Sequence, residues 1–261
     1  MSLFDALDYL LYAVIVVAII RYARRKLPLW VAKTPLSEGN YQEALRRLAL
    51  LKRLHVRSPN LLHMTGTVLM FAGRNREAEE LIRECLKNAL TPPERGLFLV
   101  NLGYVLLGEK RYDEARQTYE EAIRNRPNGA VAYSSLAEVY LQQGIEPEKA
   151  LQLADRGITF KKTSAHQSQV DQHIFGYLYA NRAWALFLLG RTAEVQQSLE
   201  EARRFSSIPN KPGAAGVHYH IARALLAGGL NAEAAEHLRQ VKQIDPQGRY
   251  AAFSDALLRA Q

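Results

Sequence analysis

The sequence predicts an all-α solenoid built from stacked helix pairs, and three observations predict it. A short motif ending in a small residue recurs as YQEA (41–44), NREA (75–78), YDEA (112–115) and NAEA (231–234), with weaker copies in EPEKA (146–150) and TAEV (192–195). The last residues of successive copies are 34, 37, 35, 45 and 39 positions apart, the interval of one repeated supersecondary unit. Gly39, Gly73, Gly190 and Gly229 each stand five residues before the end of a copy, with Gly144 one further back and Lys110 in that place in the third. Around each copy, apolar residues at three- and four-residue spacing mark two amphipathic helices.

The N-terminal element reads differently. Tyr9 to Ile20 are twelve residues without a charge, and extension from Leu3 to Ala23 gives 21 at the cost of Asp5, Asp8 and Arg21 near the ends. A bilayer core requires ~20 helical residues. The segment therefore predicts a transmembrane helix contacting lipid through residues 3–26, with Tyr9, Tyr12, Tyr22 and Trp30 suited to the interface. The alternative is a short apolar helix packed on the rest of the chain or lying in the interface. No basic residue precedes the run and no small-x-small site follows it, which argues against a cleaved leader. Arg21, Arg24, Arg25 and Lys26 follow it as a membrane-proximal basic cluster. By the positive-inside rule they predict a single-pass protein of the cell membrane, N-terminus outside and repeat domain cytoplasmic.

Residues 1–35 are thus expected to form the anchor and basic juxtamembrane segment, and residues 36–261 the solenoid. Pro28 and Pro35 are expected to interrupt the chain ahead of Tyr41–Leu54, leaving that stretch a second helix without its partner in a partial unit near 36–58. Leu29, Trp30 and Val31, or the membrane surface, are candidates to cover its exposed side. Full units follow near 59–95, 96–129, 130–163, 176–209 and 215–248. In the clearest, Leu99, Leu102, Gly103 and Leu106 share one face of a first helix. Tyr112, Ala115, Tyr119 and Ala122 then share one face of a second, and Pro127 ends it. Small residues at Gly103, Ala137, Ala183 and Ala222 allow close approach within a pair. Residues 163–175 lengthen one step, either as a loop or as an extension of the next helix. Tyr250, Phe253 and Leu257 give residues 249–261 an apolar stripe, as expected of a capping helix that closes the stack.

This pattern resembles the tetratricopeptide repeat, a 34-residue helix–turn–helix unit. Residues 96–129 match nearly every position of its signature, and the resemblance spans roughly 220 of the 261 residues. It implies a right-handed solenoid of about five helix pairs plus the C-terminal cap. It also implies a concave face, lined by first helices, that holds peptides or helical segments. Transferred residue by residue, the groove would present Asn101, Tyr104, Glu138, Tyr177, Asn181, Trp184, Tyr219, His220 and Arg223. Aromatic anchors beside amide and hydroxyl groups suit side-chain pockets and hydrogen bonds to a peptide backbone. For Tyr104 and Trp184, packing between neighbouring first helices is an equal alternative. Lys and Arg are scarce on this wall, so the carboxylate clamp of chaperone-binding members is not carried over.

Nothing in the chain points to catalysis or a cofactor. Phosphate-binding glycine loops, H-E-x-x-H and G-x-S-x-G are absent from the sequence. His218 and His220 are two apart and point to different sides of a helix, while His166 and His173, with Asp171 nearby, read as polar loop residues. Cys85 is the single cysteine, which excludes an intramolecular disulfide, and it stands where other copies have Ala122 and Ala202. The formal charge of +8 is concentrated in residues 1–60, with ten basic and four acidic side chains, so nucleic acid is not an expected partner. The expectation is a non-enzymatic, membrane-anchored scaffold or adaptor that docks other proteins. A constitutive subunit of a membrane complex is the alternative, an enzyme using His166, His218 or His220 is a weaker one, and self-association is open.

Overall fold

One backbone bend, used six times, organises the molecule. The computed structural model describes residues 3–54, 58–88, 90–163 and 172–260, apart from some side chains within these spans. They form thirteen helices: α1 (Leu3–Ser37), α2 (Tyr41–Arg53), α3 (Pro59–Phe71), α4 (Asn75–Leu86), α5 (Pro92–Gly108), α6 (Tyr112–Asn125), α7 (Ala130–Gln143), α8 (Pro147–Thr163), α9 (His173–Leu188), α10 (Thr192–Arg203), α11 (Lys211–Ala227), α12 (Asn231–Ile244) and α13 (Arg249–Arg259). No strand occurs among the described residues. Consecutive helices pair as α1/α2 through α11/α12, and each odd-numbered helix from α3 to α11 also packs on the odd-numbered helix before it. This places the odd-numbered helices on one side of the stack.

The bend between paired helices is a left-handed C-terminal turn. Gly39, Gly73, Gly144, Gly190 and Gly229 adopt φ of +67 to +73°, and Lys110 adopts +61° in the third unit, where the sequence replaces glycine. In each case the left-handed residue donates to a carbonyl three residues back and its successor donates five residues back. Gly73 N–H bonds Met70 O at 3.1 Å and Arg74 N–H bonds Leu69 O at 2.9 Å, for example. These bonds satisfy carbonyls the helix end would otherwise leave open.

Seven residues before each left-handed turn stands a small residue: Ala32, Gly66, Gly103, Ala137, Ala183 and Ala222. All six are buried, at the contact between paired helices. Opposite them, Ala44, Ala78, Ala115, Ala150 and Ala234 of the second helices have no solvent exposure. The tolerance differs among units. A Cβ on Gly103 would lie 2.6 Å from the Tyr119 ring, whereas one on Gly66 would meet Ile82 Cγ1 at an ordinary 3.4 Å.

The N-terminal segment departs from expectation. Pro28 and Pro35 lie inside α1 and do not interrupt it, so α1 is one helix of 35 residues. Pro28 and Pro35 are both buried, and removing one amide donor leaves the remainder of the helix ladder intact. The supposedly missing partner of α2 is the C-terminal third of α1. Ala32, with Leu27, Val31 and Leu36, packs on Tyr41, Ala44, Leu48, Leu51, Leu61, Met64 and Val68. Among the described residues the helix pairs therefore number six, with Ala32 34 positions before Gly66. Trp30 and Leu29 do not cover α2; they are 76% and 47% exposed. Among the described residues no helix is long and apolar enough to cross a membrane. The side chains of residues 3–13, and those of Arg21, Arg24 and Arg25, lie outside the described residues.

The first and last helix pairs meet. The buried Tyr41 hydroxyl, in the first unit, donates to the Asp245 carboxylate at the end of α12. Burial pushes the Asp245 carboxyl above the usual range, while the Tyr41 hydrogen bond and Lys211 oppose that rise. Gly39 and Gly248 flank the carboxylate closely enough that a Cβ on either would approach it within 2.9 and 2.0 Å. α13 then turns back against α11 and α12.

Three stability outcomes follow from this packing. Gly103→Ala is expected to lower stability by about 1–3 kcal/mol through overpacking against Tyr119, while Gly66→Ala leaves the melting temperature unchanged or higher because Ala is the better helix former. Tyr41→Phe, which removes the side-chain donor to the buried Asp245 and leaves it the Gly248 backbone bond, is expected to cost about 1–3 kcal/mol in the same thermal denaturation experiment.

Candidate partner-binding site

The odd-numbered helices supply the wall identified from sequence, but α13 lies across part of it. Tyr250 packs its ring 5.1 Å from Tyr219 and 6.4 Å from Tyr177, and Phe253 lies 6.0 Å from Tyr219. Arg249, the first residue of α13, reaches into the wall. Its guanidinium lies 5.1, 5.4 and 5.3 Å from the rings of Tyr104, Tyr250 and Phe253, and its Nη2 donates to Tyr104 O at 3.4 Å. The cap read from the sequence as an end plate is thus also a lining element of the inner face. An aromatic stripe seeks the largest apolar surface within reach, and here that surface is the tyrosine-rich interior.

Beneath α13 runs a buried polar seam. Asn181 Nδ2 donates to Ser134 O at 2.9 Å, and Asn181 Oδ1 pairs with His220 Nδ1 at 3.1 Å. His220 stacks on Tyr177 at 4.5 Å, and its Nε2 lies 3.8 Å from Glu138, which also accepts from Gln142 at 2.8 Å. Burial holds the His220 imidazole below its usual range, with Arg223 and Arg249 adding to the effect and Glu138 opposing it. Burial likewise raises the hydroxyls of Tyr104, Tyr177, Tyr219 and Tyr250, so none ionises near neutral pH.

Between this wall and α13 an open cavity of about 590 Å³ remains. Of the nine residues read from the sequence as groove, Tyr104, Glu138, Trp184, Tyr219 and Arg223 line it. Asn101, Tyr177, Asn181 and His220 are buried and do not; Asn101 is committed to Thr67 Oγ1 at 2.9 Å. Arg223 sets its guanidinium 4.4 Å from the Trp184 ring and donates to Tyr219 Oη at 3.1 Å. Tyr104 and Trp184 are buried among the helices, as the packing alternative expects, and they also line the cavity. Arg249 went unrecognised in the sequence because it precedes the stripe and looks like any charge at a helix start. Only its spacing of four from Phe253 hints at a shared face.

The remaining candidates separate. His218 turns away from His220 and pairs its Nδ1 with His237 Nδ1 at 2.8 Å. His173 packs its ring 5.1 Å from Tyr177, while His166 and Asp171 lie outside the described residues. Cys85 is 3% exposed and burial pushes its thiol up, as fits a small core residue. Among the described residues no group of three or more His, Cys, Asp or Glu could hold a metal ion. A second hollow, of about 470 Å³, lies between α1 and α2 and is lined by Trp30, Lys33, Arg47 and Leu50.

The histidines give the fold a pH dependence with a definite sign. Burial lowers His63 and His237 to about 4, with Arg126 assisting at His63 and His218 at His237, and also lowers His218 and His220. The unfolded chain, with histidines near ~6.5, binds more protons than the native state below that pH. Stability is therefore complete above about 6.5 and is lost as pH falls toward 4. Thermal melts at stepped pH should show this fall, and His63→Gln should flatten it.

Known proteins place this architecture. Tetratricopeptide-repeat family models match residues 63–130, 203–249, 106–168 and 176–203, together more than half of the chain. The chain is 40% identical over 83 residues to Protein O-mannosyl-transferase Tmtc2 of Drosophila melanogaster, and 24% identical over 98 residues to human Cilia- and flagella-associated protein 70. Those matches cover 28% and 38% of this chain but only 8% and 9% of those proteins. TTC0263, a tetratricopeptide-repeat protein of Thermus thermophilus, superposes with a TM-score of 0.54 at 18% identity, over 75% of this chain and 98% of that one. Tetratricopeptide-repeat proteins are generally non-enzymatic scaffolds that bind other proteins. With its six left-handed turns, its small-residue contacts and these matched segments, the chain belongs to the tetratricopeptide-repeat family.

Proposed function

We propose that the protein is a membrane-anchored interaction scaffold that docks a short segment of a partner protein in the cavity between its inner face and α13. The observation that carries this reading is the cavity itself. At about 590 Å³ it is open and walled by aromatic side chains, with a few fixed polar groups among them. That combination anchors a peptide side chain by burial and orients it by hydrogen bonding. Docking there is equilibrium binding, without covalent chemistry.

The anchoring part of the reading draws on the N-terminal surface. Val14, Ile15, Val17 and Ile20 of α1 are 46 to 58% exposed, and Tyr22 and Trp30 more so. Lys26, Lys33, Arg47, Lys52 and Arg53 are exposed beyond and beside them. In this reading the apolar start of α1 enters the bilayer with the N-terminus outside. The basic surface then faces anionic headgroups on the cytoplasmic side, each charge contributing ~1 kcal/mol. Tethering confines docking to the membrane surface and raises the local concentration of partners held there.

Proximity labelling in cells separates the two parts. Leu188→Asp and Arg223→Asp place charge at the cavity without removing a fully buried side chain, and are expected to lose the same few labelled neighbours. An unchanged neighbour set would move the docking surface elsewhere. Removal of residues 1–20 is expected to release the protein from membranes washed at alkaline pH; release of the intact chain under that wash would overturn the anchor.

A further inference from the structure

The cavity contains a cation that the fold does not satisfy. Arg249 is 8% exposed, yet its Nε and Nη1 have no hydrogen-bond partner. Nη2 donates to Tyr104 O at 3.4 Å, and the faces of Tyr104, Tyr250 and Phe253 surround the group. Aromatic faces offset part of the cost of burying a guanidinium but do not occupy its in-plane donors. A buried charged donor left open is costly, and such groups ordinarily find an anion. The carboxylate on the cavity wall, Glu138, accepts from Gln142 at 2.8 Å and lies 3.8 Å from His220, and it does not occupy the open donors of Arg249.

The charge of the lining has the same sense. Lys110, Arg223 and Arg249 border the cavity against Glu138 alone, and the rest of the wall is largely apolar, with Leu107, Leu226 and Leu257 beside the aromatic rings. A polyanion would find too few cations there and too much hydrocarbon. A single negative charge beside an apolar group matches both features.

We infer that the cavity recognises an acidic side chain in an apolar stretch of the partner segment, the carboxylate pairing with Arg249 while the neighbouring apolar residue packs on Phe253 and Leu257. The inference rests on the reading of the cavity as the docking site and specifies what is docked. It assigns recognition to the capping helix, outside the repeat positions.

The test is an immobilised library of randomised hexapeptides probed with the purified full chain. The best binder is then resynthesised with its acidic residue changed to the amide. Wild type is expected to select Asp or Glu next to a large apolar residue and to bind the acidic peptide at least about tenfold more tightly than its amide twin, as a charged hydrogen bond implies. Arg249→Gln should abolish that preference, Arg249→Lys should keep part of it, and Glu138→Gln should increase it. Should Arg249→Gln fail to fold, as judged by its circular dichroism melt, Arg223→Gln provides the second measurement and should reduce the preference. Equal binding of the acidic and amide peptides to wild type, or a preference undiminished in the folded Arg249→Gln variant, would overturn the inference alone. A library without any binder would overturn the docking reading as well.

Discussion

The spacing of seven residues between a small side chain and a left-handed turn is the constraint on which the rest depends. The small residue sets how closely two helices approach, and the turn sets the direction in which the second one leaves. Because both sit at the same register in all six units, the contact between helices repeats, and repeated contacts build a continuous wall. Neither half suffices alone. A turn without the small residue would separate the helices, and a small residue without the turn would leave them without a return path. The third unit shows how strong the constraint is, since Lys110 accepts a backbone conformation that favours glycine to keep the register.

On that wall, polar groups specify what apolar packing would leave loose. Asn181, Ser134, His220, Glu138 and Gln142 connect α7, α9 and α11 through directional contacts in the interior. Buried polar groups tolerate few alternative arrangements, because each broken bond leaves a desolvated donor or acceptor. The seam therefore fixes how successive units are set against one another, while the aromatic layer above it shapes the cavity. Arg249, with Nε and Nη1 unpartnered, is the charged side chain that departs from this pattern, and it sits where the wall opens.

Most of the fold was legible in the sequence because its determinants are local. The left-handed position at Lys110, the small residues from Gly103 to Ala222 and the helix stops before Pro127 and Pro246 are all set by neighbours within one unit. Local patterns do not specify the places where distant parts of the chain decide. Pro28 and Pro35 looked like breaks, but the tertiary contact of Ala32 with α2 and α3 holds the helix through them. The inner face was half legible. Five of the nine expected residues line the cavity, and the other four turn inward into hydrogen bonds and ring contacts formed across helices more than thirty residues apart. The role of α13 could not be read locally, since an apolar stripe states that a helix must be covered and not by what.

The joint between Tyr41 and Asp245 changes the mechanics of the array. An open solenoid behaves as a spring, lengthening by small rotations shared among its units. With its first and last helix pairs joined, this one must also break that contact to lengthen. Tension applied at α1 reaches the final helix pair, and the arginine beside it, by the short route across the joint and not along the five intervening turns.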